Sequence, residues 1–156
     1  MIADGYNWYE DLAVGDRFTT GGIMVTESHV AGFAGLTGDF FDLHVDEQFA
    51  KELGFEGRVA HGILGLALTD GLKNRAAPRM RAIASLGWNW KFTRPIYIGD
   101  RIHAEVEVAS KRETRRSDRG IVMLAFKVKN QDGEVVQEGT NDLLLLRRPA
   151  KLLADG

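Results

Sequence analysis

From His61 to Ala77 the chain contains no proline, and Pro78 closes the stretch. Within it Ile63, Leu64, Leu66, Ala67 and Leu68 cover most of a helical circumference, the pattern of a helix of about 25 Å buried almost all round. Gly62, Gly65 and Gly71 cost about 1 kcal/mol each relative to alanine in a helix, so their presence calls for close approach of another backbone. A helix apolar on nearly every side needs something that curls around it.

The rest of the chain supplies the wrapper. After Pro78 the period becomes two: Ala82, Ala84, Leu86, Trp88, Trp90 and Phe92 share one face, Ser85, Asn89 and Lys91 the other, and Arg94-Pro95 ends the strand. Ile102, Ala104, Val106 and Val108 alternate with charged partners in a second strand. Ile121 to Lys129 is apolar on both faces, and Gln131-Asp132-Gly133 turns the chain into a last strand that includes Leu143 to Leu146. Four strands in succession predict an antiparallel meander. Upstream, a turn at Gly15-Asp16 leads into a strand over 17–25. A helix capped by Thr26 and stopped by Gly38 follows, then another from Asp46 to Gly54. The expected fold is α+β, a single hot-dog domain over residues 1–156 with an antiparallel sheet wrapped around one long central helix. The open edge of such a sheet predicts a homodimer or higher homo-oligomer.

A chain of 156 residues is long enough to bury one ordinary core. Its formal charge of −2 predicts no nucleic-acid partner, and no window approaches a membrane span. Residues Met1 to Asn7 carry neither a basic segment nor an apolar run, and the chain has no cysteine, so a reducing cytoplasm is the expected location.

The chemistry concentrates in Gly38-Asp39-Phe40-Phe41-Asp42-Leu43-His44, read as a tight connection after the first helix. An Asp held against Phe40 and Phe41 loses hydration, which disfavours its charged form and readies it to take a proton from water. The imidazole of His44 titrates near neutrality by nature.

Several segments together resemble the MaoC-like dehydratases, the family of the (R)-specific enoyl-CoA hydratases. They are Tyr9-Glu10-Asp11-Leu12 with Val14-Gly15-Asp16, Gly38-Asp39 with His44, Arg58-Val59-Ala60-His61-Gly62, and Phe92-Thr93-Arg94-Pro95 with Gly99-Asp100. The resemblance implies a hot-dog fold and catalytic roles for Asp39, His44 and the backbone N–H of Gly62. It implies an acyl-CoA substrate and no metal or cofactor beyond that thioester. The family loop reads Gly-Asp-x-Asn-Pro-x-His, whereas Phe41-Asp42 stands here in place of Asn-Pro, so an amide and a rigid turn are both missing.

Hydrating a double bond conjugated to a thioester needs a base for water, an acid for the α-carbon and a donor for the enolate oxygen. A helix opening near Gly62 offers such a donor at its positive end. Phe40, Phe41, His61 and Asp70 are the candidate substrate contacts. Asp70 shares a helix face with Gly62, and a structural hydrogen bond is an equal alternative for it. The run Lys111-Arg112, Arg115-Arg116 and Arg119 reads as a solvated hairpin tip, or as a seat for coenzyme A phosphates. A thioesterase using Asp39 or Asp70, and a non-catalytic acyl-CoA-binding subunit, are the alternatives to a hydratase.

Overall fold

The computed structural model describes residues 2–149. The elements in chain order are β1 (Gly5–Asn7), a 3-10 turn (Tyr9–Asp11), β2 (Arg17–Thr19), β3 (Ile23–Met24), α1 (Glu27–Thr37), α2 (Asp42–Val45), α3 (Glu47–Glu52), α4 (Gly62–Asn74), β4 (Pro78–Met80), β5 (Ala82–Phe92), β6 (Arg101–Glu113), β7 (Arg119–Lys129) and β8 (Val135–Leu146).

Helix α4 is shorter than the apolar pattern predicts, about 20 Å, because Arg75 ends it before the proline. It is also not buried all round. Leu64, Gly65, Thr69, Leu72 and Lys73 face the protein, while Ile63, Ala67 and Gly71 form an exposed stripe, with Ile63 62% exposed. The sheet covers one side of the helix, and the other side has no cover among the described residues.

The sheet order is β2-β6-β7-β8-β5, with β3 also on β6. The meander therefore holds for β6, β7 and β8 but not for β5, which pairs antiparallel with β8 at the far side. The reason lies in the connection 93–100. Instead of a hairpin turn it carries Pro95, buries Ile96 and crosses to the other edge, bonding to Ala60 on the way. The strand expected over 17–25 is two short pieces, β2 and β3, which pair with different parts of β6. The core lies between α4 and the inner sheet face, where Val106, Val108, Val122, Leu124, Val128 and Leu145 are nearly inaccessible.

The caps read from the sequence are present. The hydroxyl of Thr26 accepts from the N–H of His29, Asp46 accepts from Gln48 and Phe49, and Gly38 ends α1 at φ 78°. The segment before His44 differs from a plain connection, since Asp42–Val45 forms one helical turn.

Candidate functional site

Three segments meet where α4 begins. Gly38 stops α1 with a left-handed residue, and the chain turns immediately into Asp39. The side chain of Asp39 then accepts the N–H of Phe41 at 3.2 Å, closing an Asx turn. That turn and the short helix after it bend the loop without Asn-Pro. Asp42 takes the first helical position, faces solvent and suits the positive end of the helix.

His44, carried on α2, has its Nδ1 2.6 Å from the carbonyl of Val59. A carbonyl only accepts, so Nδ1 bears the hydrogen and the neutral ring keeps Nε2 as an acceptor. Val59 is held by an antiparallel bridge to Tyr97, and the next residue, Ala60, donates to Ile96. The crossing connection thus fixes the carbonyl that orients His44.

His61 is buried, 2% exposed, and its Nε2 donates to the main-chain carbonyl of Asp39 at 2.9 Å. Its ring stacks on that of His44 with centroids 3.9 Å apart, and Phe33 packs on it at 4.9 Å. Side-chain ligand atoms of Asp39, His44 and His61 all lie within 4.8 Å of one another. Beside them opens a cleft of about 340 Å³, lined by Leu43, His44, Val59, Gly62, Phe92 and Gln137 among others. Gly62 is the first residue of α4, so its N–H has no intrahelical partner. A Cβ there would stand 2.8 Å from the ring of Phe92, which shows how closely the wall approaches the backbone.

Of the residues singled out in the sequence, Asp39, His44, His61 and Gly62 come together. Phe40 and Phe41 do not shield Asp39 in the single chain, because all three are exposed. Phe41 packs edge-on against His44 and Phe49 and is not part of the cleft lining. Asp70 does not line the cleft: its carboxylate pairs with the buried Lys73 at 2.6 Å, the structural contact that was the alternative for it. The basic run is largely spent within the protein. Lys111 donates to the carbonyls of Tyr9 and Leu12, Arg112 pairs with Asp142, and Arg116 and Arg119 both grip Asp118, whose carboxyl they hold far below the usual carboxylate range. A broader hollow of about 770 Å³ over the sheet, lined by Arg17, Glu105, Lys127 and Glu138 among others, holds none of the candidate residues.

Gln137 escaped sequence reasoning. It is a buried amide in β8, 1% exposed, directed at the start of α4, where Nε2 donates to the carbonyl of Gly62 at 2.9 Å. A glutamine following two valines in a strand, together with Gly65 in the facing helix, was the available signal.

Residues 12–130 match the model of the MaoC like domain. Over 112 residues the chain is 37% identical to an (R)-specific enoyl-CoA hydratase of Aeromonas caviae, covering 72% of this chain and 80% of that one. The solved MaoC-like dehydratase of Rhodospirillum rubrum superposes with a TM-score of 0.82 at 33% identity, over 92% of this chain and 99% of that one. A Mycobacterium tuberculosis protein described as a double hotdog fold superposes with a TM-score of 0.82 at 21% identity, over 92% of this chain and 45% of that one, a likeness of fold alone. With the sheet half-wrapped around α4 and the Asp-His loop at the mouth of that helix, the chain belongs to the MaoC-like dehydratase family.

Proposed function

We propose that the protein is a hydro-lyase that adds water reversibly across the C2–C3 double bond of a 2-enoyl-CoA, giving a 3-hydroxyacyl-CoA. The observation that carries this reading is the convergence of Asp39 and His44 within 4.8 Å, beside a cleft that also contains the first residue of α4. The 37% identical relative is itself an (R)-specific enoyl-CoA hydratase, which supports the same chemistry.

In this reading the carboxylate of Asp39 takes a proton from water as its oxygen bonds to C3. His44 Nε2, in its protonated form, delivers a proton to C2. The N–H of Gly62, at the positive end of α4, donates to the thioester oxygen while the enolate charge is on it. An acid or base so placed contributes about 10²- to 10⁴-fold, and one oxyanion donor about 3 kcal/mol. The overall addition is balanced by one water, and the scheme calls on no metal or further cofactor.

Strand β5 has a partner on one side only among the described residues, and Ile83, Leu86 and Phe92 on it are 42%, 50% and 56% exposed. Together with the stripe Ile63, Ala67 and Gly71 of α4, this edge suits a second copy, giving a homodimer. No helix among the described residues is long and apolar enough to cross a membrane. The lack of cysteine suits the cytoplasm.

Incubation with crotonyl-CoA tests the activity. Enoyl absorbance falls without release of free thiol; thiol release would instead indicate a thioesterase. Asp39→Asn and His44→Ala each remove most of the hydration while leaving the circular dichroism spectrum intact. Full turnover by folded Asp39→Asn would take Asp39 out of the mechanism.

A further inference from the structure

The opening turn of α4 contains two glycines, Gly62 and Gly65, and a helix end of this composition frays cheaply. On the reading given above, the N–H of Gly62 has to hold a fixed direction through the reaction. Something outside the helix must therefore steady the turn.

Gln137 meets that requirement. Its Nε2 donates to the carbonyl of Gly62 at 2.9 Å, and its Oε1 accepts the indole N–H of Trp90 at 3.0 Å. Because an indole nitrogen only donates, the Trp90 bond fixes which end of the amide is oxygen and directs the NH₂ toward the helix. The bond is made by a side chain 1% exposed, so no water competes for it. Room for the amide comes from Gly65, where a Cβ would stand 2.3 Å from Gln137 Nε2. The weak helix former at 65 and the buried amide at 137 thus account for each other. On the other flank of the same turn, His61 Nε2 donates to the Asp39 carbonyl. The His61–Gly62 segment is consequently held from the site loop by His61 and from β8 by Gln137.

We infer that Gln137 is a positioning residue for this reaction: through the carbonyl of Gly62 it keeps the first turn of α4 set so that the Gly62 N–H faces the thioester oxygen. The inference rests on the reading of that N–H as the oxyanion donor. Gln137 itself need not contact the reacting atoms, although its side chain borders the cleft.

The test compares the wild type with Gln137→Met, which keeps the length of the side chain and removes the amide. Two quantities are read: the kinetics with crotonyl-CoA, and the carbonyl stretch of bound butyryl-CoA labelled with ¹³C at the thioester, a saturated probe that cannot be hydrated. Wild type is expected to lower the stretching frequency relative to the probe in water. In Gln137→Met that lowering shrinks and kcat falls about 10- to 100-fold, while KM stays within about threefold. A role confined to packing would lower thermal stability without moving the carbonyl frequency. Should the methionine variant not fold, Gly65→Ala is the second test, since its methyl displaces the amide while alanine favours the helix; it should show the same loss in kcat and the same carbonyl change. No lowering in the wild type would overturn the donor reading and the inference with it. A lowering that persists in either folded variant, with kcat unchanged, would overturn the role of Gln137 alone.

Discussion

His44 and His61 stack 3.9 Å apart at an interplanar angle of 27°, yet each gives a ring nitrogen to a different stretch of main chain, His44 to Val59 and His61 to Asp39. One ring lies on the cleft and the other is buried beneath it. His61 has a second nitrogen, Nδ1, that is buried with no hydrogen-bond partner among the described residues. His61 thus serves both as a surface on which the His44 ring stacks and as a tether for the Asp39 carbonyl.

Replacing His61 by phenylalanine separates these roles. The ring stack survives, the orphaned Nδ1 disappears and the bond to the Asp39 carbonyl is lost. The two stability effects oppose each other, each about 1 kcal/mol, so the melting temperature should stay within a few degrees of wild type. Activity should fall about tenfold or more as the Asp39 loop loosens. Calorimetry alongside the crotonyl-CoA assay checks both, and full activity would show that the loop needs no such tether.

The apolar stripe on α4 gives an assembly test. Ile63→Lys places a charge at a position that is 62% exposed in a single chain, where it costs little. In a homodimer packed through that stripe it becomes a buried like-charge pair, and light scattering should show the mass fall from two chains to one. An unchanged dimer would move the interface elsewhere.

Acid stability should depend on Glu47. Its carboxyl is held below the usual 4.5 chiefly because the N–H of Arg58 donates to it, with further help from Lys51. A depressed folded value stabilises the protein above the unfolded value, and that contribution is lost as pH falls through the folded one. Glu47→Gln should therefore melt earlier than wild type at pH 7, with the two curves converging below about pH 4.5. Parallel curves down to pH 3 would assign the effect to another group.

Gly38 adopts φ 78° directly before Asp39. Gly38→Ala forces an L side chain into the left-handed region and should cost about 1 kcal/mol, read from chemical denaturation. Nothing lies within 4 Å of the added methyl, so any larger loss would point to displacement of the Asp39 loop.

Much of this was legible because it was local. Thr26, Asp46, Gly38 and Gly133 mark their helix ends and turn through chemistry confined to a few residues, and the alternation from Ile102 to Val108 shows directly which side of β6 is buried. The place of β5 was not legible. Strand periodicity says which face is inside but not which neighbour is beside it, and only the path of 93–100 reveals the crossing. The same limit applied to Asp70, whose helical phase matched Gly62 but whose carboxylate pairs with Lys73 and is not in the cleft lining. Asp39, His44 and Gly62 were recognised as a set by resemblance. The Val59 carbonyl that holds His44 is a backbone atom and leaves no mark in residue identity.

That last contact bears on how freely the site can change over time. An acceptor built from a peptide unit is conferred by the trace of the backbone, so no single codon change deletes it. Genetic drift at residues 41, 42 and 59 can alter side chains while the protons of both imidazoles stay where they are. A loop without the Asn-Pro pair can therefore still hold the His44 ring in one orientation.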